Sequence, residues 1–170
     1  MSWVRVPPGP PSISAVKDFL RSLFAILTLM SKSTSEITID APSEKVWRIL
    51  TDPELVKQWQ YGSDLTTDWQ VGNDKRFHTK WEDTIFEQWG KILVVVPNKI
   101  IKYTLFAPRP GLQDKPENYF VMTYELQENQ KQTRLIVTQE DNRPQAEDQE
   151  TQSSGNETSV LDDLKALAEI

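Results

Sequence analysis

The sequence predicts an α+β fold. It is a curved antiparallel sheet of about six to seven strands around a long C-terminal helix, with two short helices after strand 1. Three observations carry this. A single strand precedes a helix pair broken by proline. Alternating segments joined by short turns follow, between about residues 65 and 140. An amphipathic stretch closes the chain. A meander bent around one helix leaves a hollow, so this order describes a container more than it describes a reaction.

Glu36–Ala41 alternates, with Ile37 and Ile39 on one face, which is strand period. Pro42 stops the strand, and Ser43 is placed to cap a helix whose apolar side is Val46, Trp47, Ile49 and Leu50. Asp52-Pro53 ends that helix and opens the next, with Asp52 as N-cap and Pro53 at the first helical position. Leu65–Val71 reads as a strand that ends at the turn Gly72-Asn73-Asp74. In Arg76–Glu82, Phe77, Thr79 and Trp81 share one face, while Arg76, His78 and Lys80 share the other.

Ile85–Val96 is a long strand, bent at Gly90, whose nearly continuous apolar run leaves its inward face open. Ile100–Ala107 alternates again, and Pro108, Pro110 and Gly111 open a loop reaching about Glu117. Asn118–Gln127 sets Phe120, Met122, Tyr124 and Leu126 on one side. Glu128–Lys131 reads as a hairpin turn, and Thr133–Glu140 as the last strand, with Leu135 and Val137 inward. Residues 143–155 are polar and poor in apolar groups, so they read as a loop or weak helix. A final helix over 156–169, capped by Asn156 or Thr158, carries the stripe Val160, Leu161, Leu164, Leu167 and Ala168.

Composition narrows the function classes. The net charge is −6, which argues against nucleic acid as a partner. No cysteine is present, so disulfides and thiolate chemistry are excluded; a reducing cytoplasm fits. Residues 1–29 carry Arg5, Lys17 and Arg21 against Asp18, a net +2, which leaves about −8 for the remainder. This leading segment reads as foreign to the domain, and disordered or loosely attached. Met1–Pro11 is proline-rich, and the apolar Ser22–Met30 is too short to span a membrane and lacks a small-residue cleavage site. Trp3–Pro7 is also encodable by TGG GTT CGA GTC CC, which contains the core of a transfer-RNA T-arm. The domain is therefore expected to begin near Met30 and to run from 30 to 170.

The elements ITIDAPSEKVWRILTDPELVKQW, WGKILVVVPNKIIKYTLF, TRLIVTQED and SVLDDLKALAE occur in one order along 35–169. Together they resemble the helix-grip arrangement of the START / birch-pollen-allergen-like superfamily (SRPBCC). Within it, they are similar to the bacterial family related to the C-terminal domain of the activator of heat-shock protein 90 ATPase. The resemblance implies a bacterial cytoplasmic module that binds a hydrophobic ligand or a client protein, without a cofactor.

No catalytic constellation is visible. His78 is the only histidine, and it alternates with Arg76 and Lys80 on the face expected to meet solvent. With one histidine and no cysteine, a zinc site lacks its ligands. Glu82-Asp83 and Asp162-Asp163 are neighbours in sequence that do not face each other, so neither makes an acid–base pair. The acidic run Glu140–Glu150 is expected to be a solubilising loop.

The aromatic set is the functional lead. Trp59, Trp69, Phe77, Trp81, Phe86, Trp89, Tyr103, Phe106, Phe120, Met122 and Tyr124 are candidate cavity walls, with Leu161 and Leu164 from the last helix. Thr79, Gln88, Tyr103 and Tyr124 are the candidate polar contacts. Three functions follow in order. The first is a non-enzymatic module holding a small hydrophobic or amphipathic molecule, a lipid among them. The second is a chaperone-associated interaction protein of the stress response. The third is a cyclase- or hydrolase-like enzyme on the same fold.

Overall fold

A computed structural model of the chain describes residues 31–141 and 153–170. Among these, the side chains of Ser31, Trp81 and residues 153–158 lie outside the description. The expectations for residues 1–29 and for the acidic loop after Asp141 likewise fall outside the described residues.

The elements run β1 (Ser31–Ile39), α1 (Ser43–Thr51), α2 (Pro53–Trp59), β2 (Asp64–Thr66), β3 (Asp74–Trp81) and β4 (Thr84–Val96). They continue with β5 (Ile100–Leu105), a 3-10 turn at Pro116–Asn118, β6 (Phe120–Asn129), β7 (Gln132–Asp141) and α3 (Ser153–Ala168). All strands form one antiparallel sheet in the order β1-β7-β6-β5-β4-β3-β2. Consecutive strands are neighbours except that β1, first in the chain, docks beside β7, last in the sheet. Helix α3 packs against β1, α1 and α2, so all three helices gather on one side of the sheet. This is the helix-grip fold.

The core lies between the helices and the concave face of the sheet. Ile39, Val46, Val56, Ile92, Ile101, Leu135 and Leu164 sit at its centre with almost no exposure. Each comes from a position its pattern places inward. Ile39 continues the β1 alternation, Val46 lies on the apolar side of α1, and Leu164 lies on the stripe of α3.

The joint between α1 and α2 forms as the sequence demands. The Asp52 carboxylate accepts from the Glu54 amide at 3.0 Å, and Pro53 takes the first helical position, where its missing N–H is no loss. The start of α1 differs from expectation. Ser43 is inside the helix and Pro42 is the capping residue, with no side chain of its own to offer. The carboxylate of Glu128, at the end of β6, takes over. It accepts from the Ser43 amide at 3.1 Å and from the Ser43 hydroxyl. These bonds hold the Glu128 carboxyl below its usual range, so this contribution to stability is lost as pH falls through the lowered value.

Other boundaries move for local reasons. Of the strand expected over Leu65–Val71, only Leu65 and Thr66 pair with β3, joined by Asp64 before them. The Asp68 carboxylate then accepts from the Gln70 amide and the Asn73 side chain, folding the chain away from the ladder. Glu128 and Asn129 belong to β6 rather than to the turn, which shortens to Gln130-Lys131, with Gln130 at φ 59°. Helix α3 begins at Ser153, so Asn156 and Thr158 lie within it and are not its caps.

Thr133 ties the sheet to the loop before α1. It is fully buried, and its hydroxyl donates to the Ala41 carbonyl at 2.7 Å. Thr133→Val keeps the shape and removes the donor. It is expected to lower unfolding stability by about 1–2 kcal/mol in urea denaturation, the cost of stranding a buried carbonyl. A change indistinguishable from zero would show that the carbonyl finds another partner.

Candidate functional site

The sheet, α2 and α3 border a half-open cavity of about 200 Å³. Strand pairing explains its walls. Phe77 faces Gln88 across β3–β4, Leu105 faces Phe120 and Tyr103 faces Met122 across β5–β6, and Tyr124 faces Val137 across β6–β7. Paired residues share a face, so all of these side chains point to the concave side. Trp59 closes the cavity from the end of α2 and Leu161 from α3, with Gln60, Tyr61, Ser35, Gln139 and Val160 completing it. The Trp59 indole donates to the Ile49 carbonyl at 3.0 Å, which fixes its ring as a wall. Tyr103 and Tyr124 stack with their ring planes 14° apart and centroids 6.0 Å apart. Burial, reinforced by Tyr124, pushes the Tyr103 phenol well above its ordinary range, so it stays protonated and neutral.

Behind this wall lies a residue absent from the candidates above. Lys75 is 1% exposed. Its ammonium position is 3.3 Å from the centroid of Phe77, 4.2 Å from Tyr103 and 5.7 Å from Trp69. Among the described residues no carboxylate pairs with it. Burial drives its amine well below the ordinary lysine range.

Of the expected cavity residues, Trp59, Phe77, Gln88, Tyr103, Phe120, Met122, Tyr124 and Leu161 line the cavity together. The others lie elsewhere. Trp69 turns its indole to the Thr51 carbonyl at 3.0 Å and offers its ring to Lys75. Thr79 bonds the Ser63 hydroxyl at 2.6 Å, and Leu164 is packed solidly in the core. Phe86 is 55% exposed, on a part of β4 that has only β3 beside it. The Trp81 side chain lies outside the described residues.

Trp89 on β4 and Phe106, just past the end of β5, form an isolated bridge on the convex face, away from the cavity. There they pack on each other at 5.2 Å, and Tyr119 covers Phe106 at 5.3 Å. The indole of Trp89 and the hydroxyl of Tyr119 both donate to Asp114, at 3.1 and 2.7 Å. The loop after β5 is thereby clamped to the back of the sheet.

The facing of β4 is settled by its partners. Its register shifts between Ile92 and Val94, not at Gly90. Gly90 has a different duty. A Cβ there would meet the Thr104 carbonyl oxygen at 1.8 Å and its carbon at 2.5 Å. The two backbones are pressed together, and the Lys91 amide donates to the Thr104 hydroxyl at 2.9 Å instead of to a backbone carbonyl.

His78 is half-exposed beside Glu87, with Nε2 at 3.3 Å from the carboxylate, which also accepts from Arg76 at 2.9 Å. Glu82, Asp83, Asp162 and Asp163 are exposed. Among the described residues no three of His, Cys, Asp and Glu gather into a metal-binding group, and no helix is long and apolar enough to cross a membrane.

A seven-stranded sheet gripping a C-terminal helix over an apolar cavity defines the class: an SRPBCC-type helix-grip domain. Residues 40–169 match the model of the family described as Activator of Hsp90 ATPase homolog 1-like protein, and the chain belongs to that family. Among solved structures, a Cytophaga hutchinsonii protein is 32% identical, with 79% of this chain and 91% of that one covered and a TM-score of 0.67. A Mesorhizobium loti protein is 24% identical over 81% of this chain and 96% of its own, with a TM-score of 0.65. The Aha1 dimer of Colwellia psychrerythraea is 20% identical, covering 82% and 97%, with a TM-score of 0.63, and shares the fold. A comparison with curated proteins found no match.

Proposed function

We propose that this domain is a cytoplasmic, non-enzymatic binding module that holds a small, largely apolar molecule between the concave sheet and α3. The single observation behind this reading is the cavity itself. About 200 Å³ of space is bounded mostly by aromatic and aliphatic side chains, in a domain whose fold would otherwise close on a packed core. Its volume is below the ~300–1,000 Å³ of sites for drug-sized ligands, which favours one or two rings or a short chain over a long lipid tail.

A ligand that binds only the folded state raises the melting temperature. At a hundredfold excess over Kd the gain is about 2.7 kcal/mol, or several degrees for a domain of this size. A library of aromatic compounds and short lipids is expected to contain such a ligand. Met122→Trp, which fills the cavity, is expected to abolish the shift while the variant still melts cooperatively. A library without any hit would retire the reading.

Family membership supports a second reading, association with a chaperone of the heat-shock protein 90 type. Co-elution with that chaperone and stimulation of its ATPase by the purified domain test it. Absence of both removes it.

A further inference from the structure

Resting on the cavity reading above, we infer that the ligand is an uncharged, elongated aromatic molecule bearing a hydroxyl or carbonyl group at each end. The chemistry of the lining carries this. Among the described residues no Asp, Glu, Lys, Arg or His lines the cavity. An ionised ligand would lose its hydration and meet no counter-charge there. The nearest cation, Lys75, stands behind the rings of Phe77 and Tyr103, and burial drives its amine toward the neutral form, so it supplies no partner for a carboxylate.

The polar lining combines the hydroxyls of Ser35, Tyr61, Tyr103 and Tyr124 with the amides of Gln60, Gln88 and Gln139. Gln88 and Gln139 both border the cavity, and among the described residues neither side chain makes a hydrogen bond. Each offers two donors and an acceptor, a set that suits hydroxyl and carbonyl groups alike. They stand at opposite sides. Gln88 is on β4 and Gln139 on β7, with β5 and β6 between them. They are three strand spacings apart, about 14 Å across the sheet, and also offset by about 13 Å along the strands, because Gln139 is in register with Met122, Tyr103 and Ile92, four residues from Gln88. The floor between them is apolar and aromatic: Leu105 and Tyr103 on β5, and Phe120, Met122 and Tyr124 on β6. A ligand matching this pattern has a flat apolar middle and a neutral polar group at either end.

Four probes of one shape test the inference by isothermal calorimetry at pH 7: naphthalene, 2-naphthol, 2,6-dihydroxynaphthalene and 2,6-naphthalenedicarboxylate. The diol is expected to bind about fivefold more tightly than the mono-ol, the worth of one further hydrogen bond. The dicarboxylate is expected to bind at least about tenfold more weakly than the diol, because two charges would be buried unpaired. Gln88→Leu and Gln139→Leu should each erase the advantage of the diol over 2-naphthol, with thermal melts verifying that both variants fold. A dicarboxylate that equals or exceeds the diol overturns this inference and leaves the cavity reading standing, as does a diol advantage untouched by both substitutions. If none of the four binds, this inference falls, while the cavity reading falls only if the wider library also gives no hit. A naphthalene that binds in wild type but not in Met122→Trp places the probes in the cavity.

Discussion

Gly90→Ala is expected to destabilise the domain by more than about 3 kcal/mol, enough to remove most of the stability of a marginal fold. The added methyl carbon would lie 1.8 Å from the Thr104 oxygen and 3.1 Å from the Leu105 Cα, both backbone atoms. No rotamer change relieves a clash with backbone, so β5 itself has to move away from β4. Tyr103 and Leu105 belong to that part of β5, and the cavity floor moves with them. Urea denaturation of the variant, with Gly72→Ala as a comparison, checks the claim. Gly72 sits at φ 91° in a turn with open space around its Cα, so its substitution costs conformational strain alone, about 1 kcal/mol. Equal losses in the two variants would mean that β4 and β5 do not approach as closely as described.

Lys75→Met is expected to act in the opposite direction, raising stability at pH 7 by roughly 1–3 kcal/mol. Two effects compete at this site. The rings of Phe77, Tyr103 and Trp69 would favour an ammonium by about 2 kcal/mol. Stripping its hydration costs several kcal/mol and outweighs this, so folding drives the amine toward its neutral form. The unfolded chain binds the proton below the ordinary pKa of 10.5. It therefore holds more protons than the folded state, from 10.5 down to the depressed value, and wild-type stability rises with pH through that window. Methionine keeps the unbranched stem and a thioether that packs well on aromatic faces, with nothing to titrate. The gap between variant and wild type should shrink as pH rises from the depressed folded value toward the unfolded value. A Lys75→Met variant less stable than wild type at pH 7 would show that the rings hold a charged lysine after all.

Most of the architecture was legible because the inward faces are written in period two. Phe77, Phe120, Tyr124, Leu126 and Leu135 are each buried where alternation placed them. The Asp52-Pro53 joint was legible because a cap and a helix-starting proline are local chemistry. The site was only half legible. A lysine just before Arg76 looks like a solvent residue, yet two steps back from Phe77 the same alternation reaches Lys75, and it is buried. Extending Leu135 and Val137 by two reaches Gln139, and stepping back from Ile37 reaches Ser35, both on the cavity wall. Polar type concealed positions that period alone would have found.

Trp89 and Phe106 failed for another reason. The apolar run of β4 has no alternation to read, and its facing is decided by pairing to β5 and by a loop that covers the convex side. Long-range bonds such as that between Ser43 and Glu128 have no local signature at all, because the partners are 85 residues apart.

The docking of β1 beside β7 sets a schedule for biosynthesis. Ser31 pairs with Asp141, and the Asp40 amide donates to the Glu169 carboxylate at 2.8 Å. Strand β1 waits for β7, the last strand of the sheet, and the helix that borders the cavity follows later still. Contacts this distant in sequence form slowly, and until they form the concave face is open to other apolar surfaces. A nascent chain halted before residue 153 has every strand of the sheet and lacks the helix over it, so synthesis of the final helix completes the wall of the cavity.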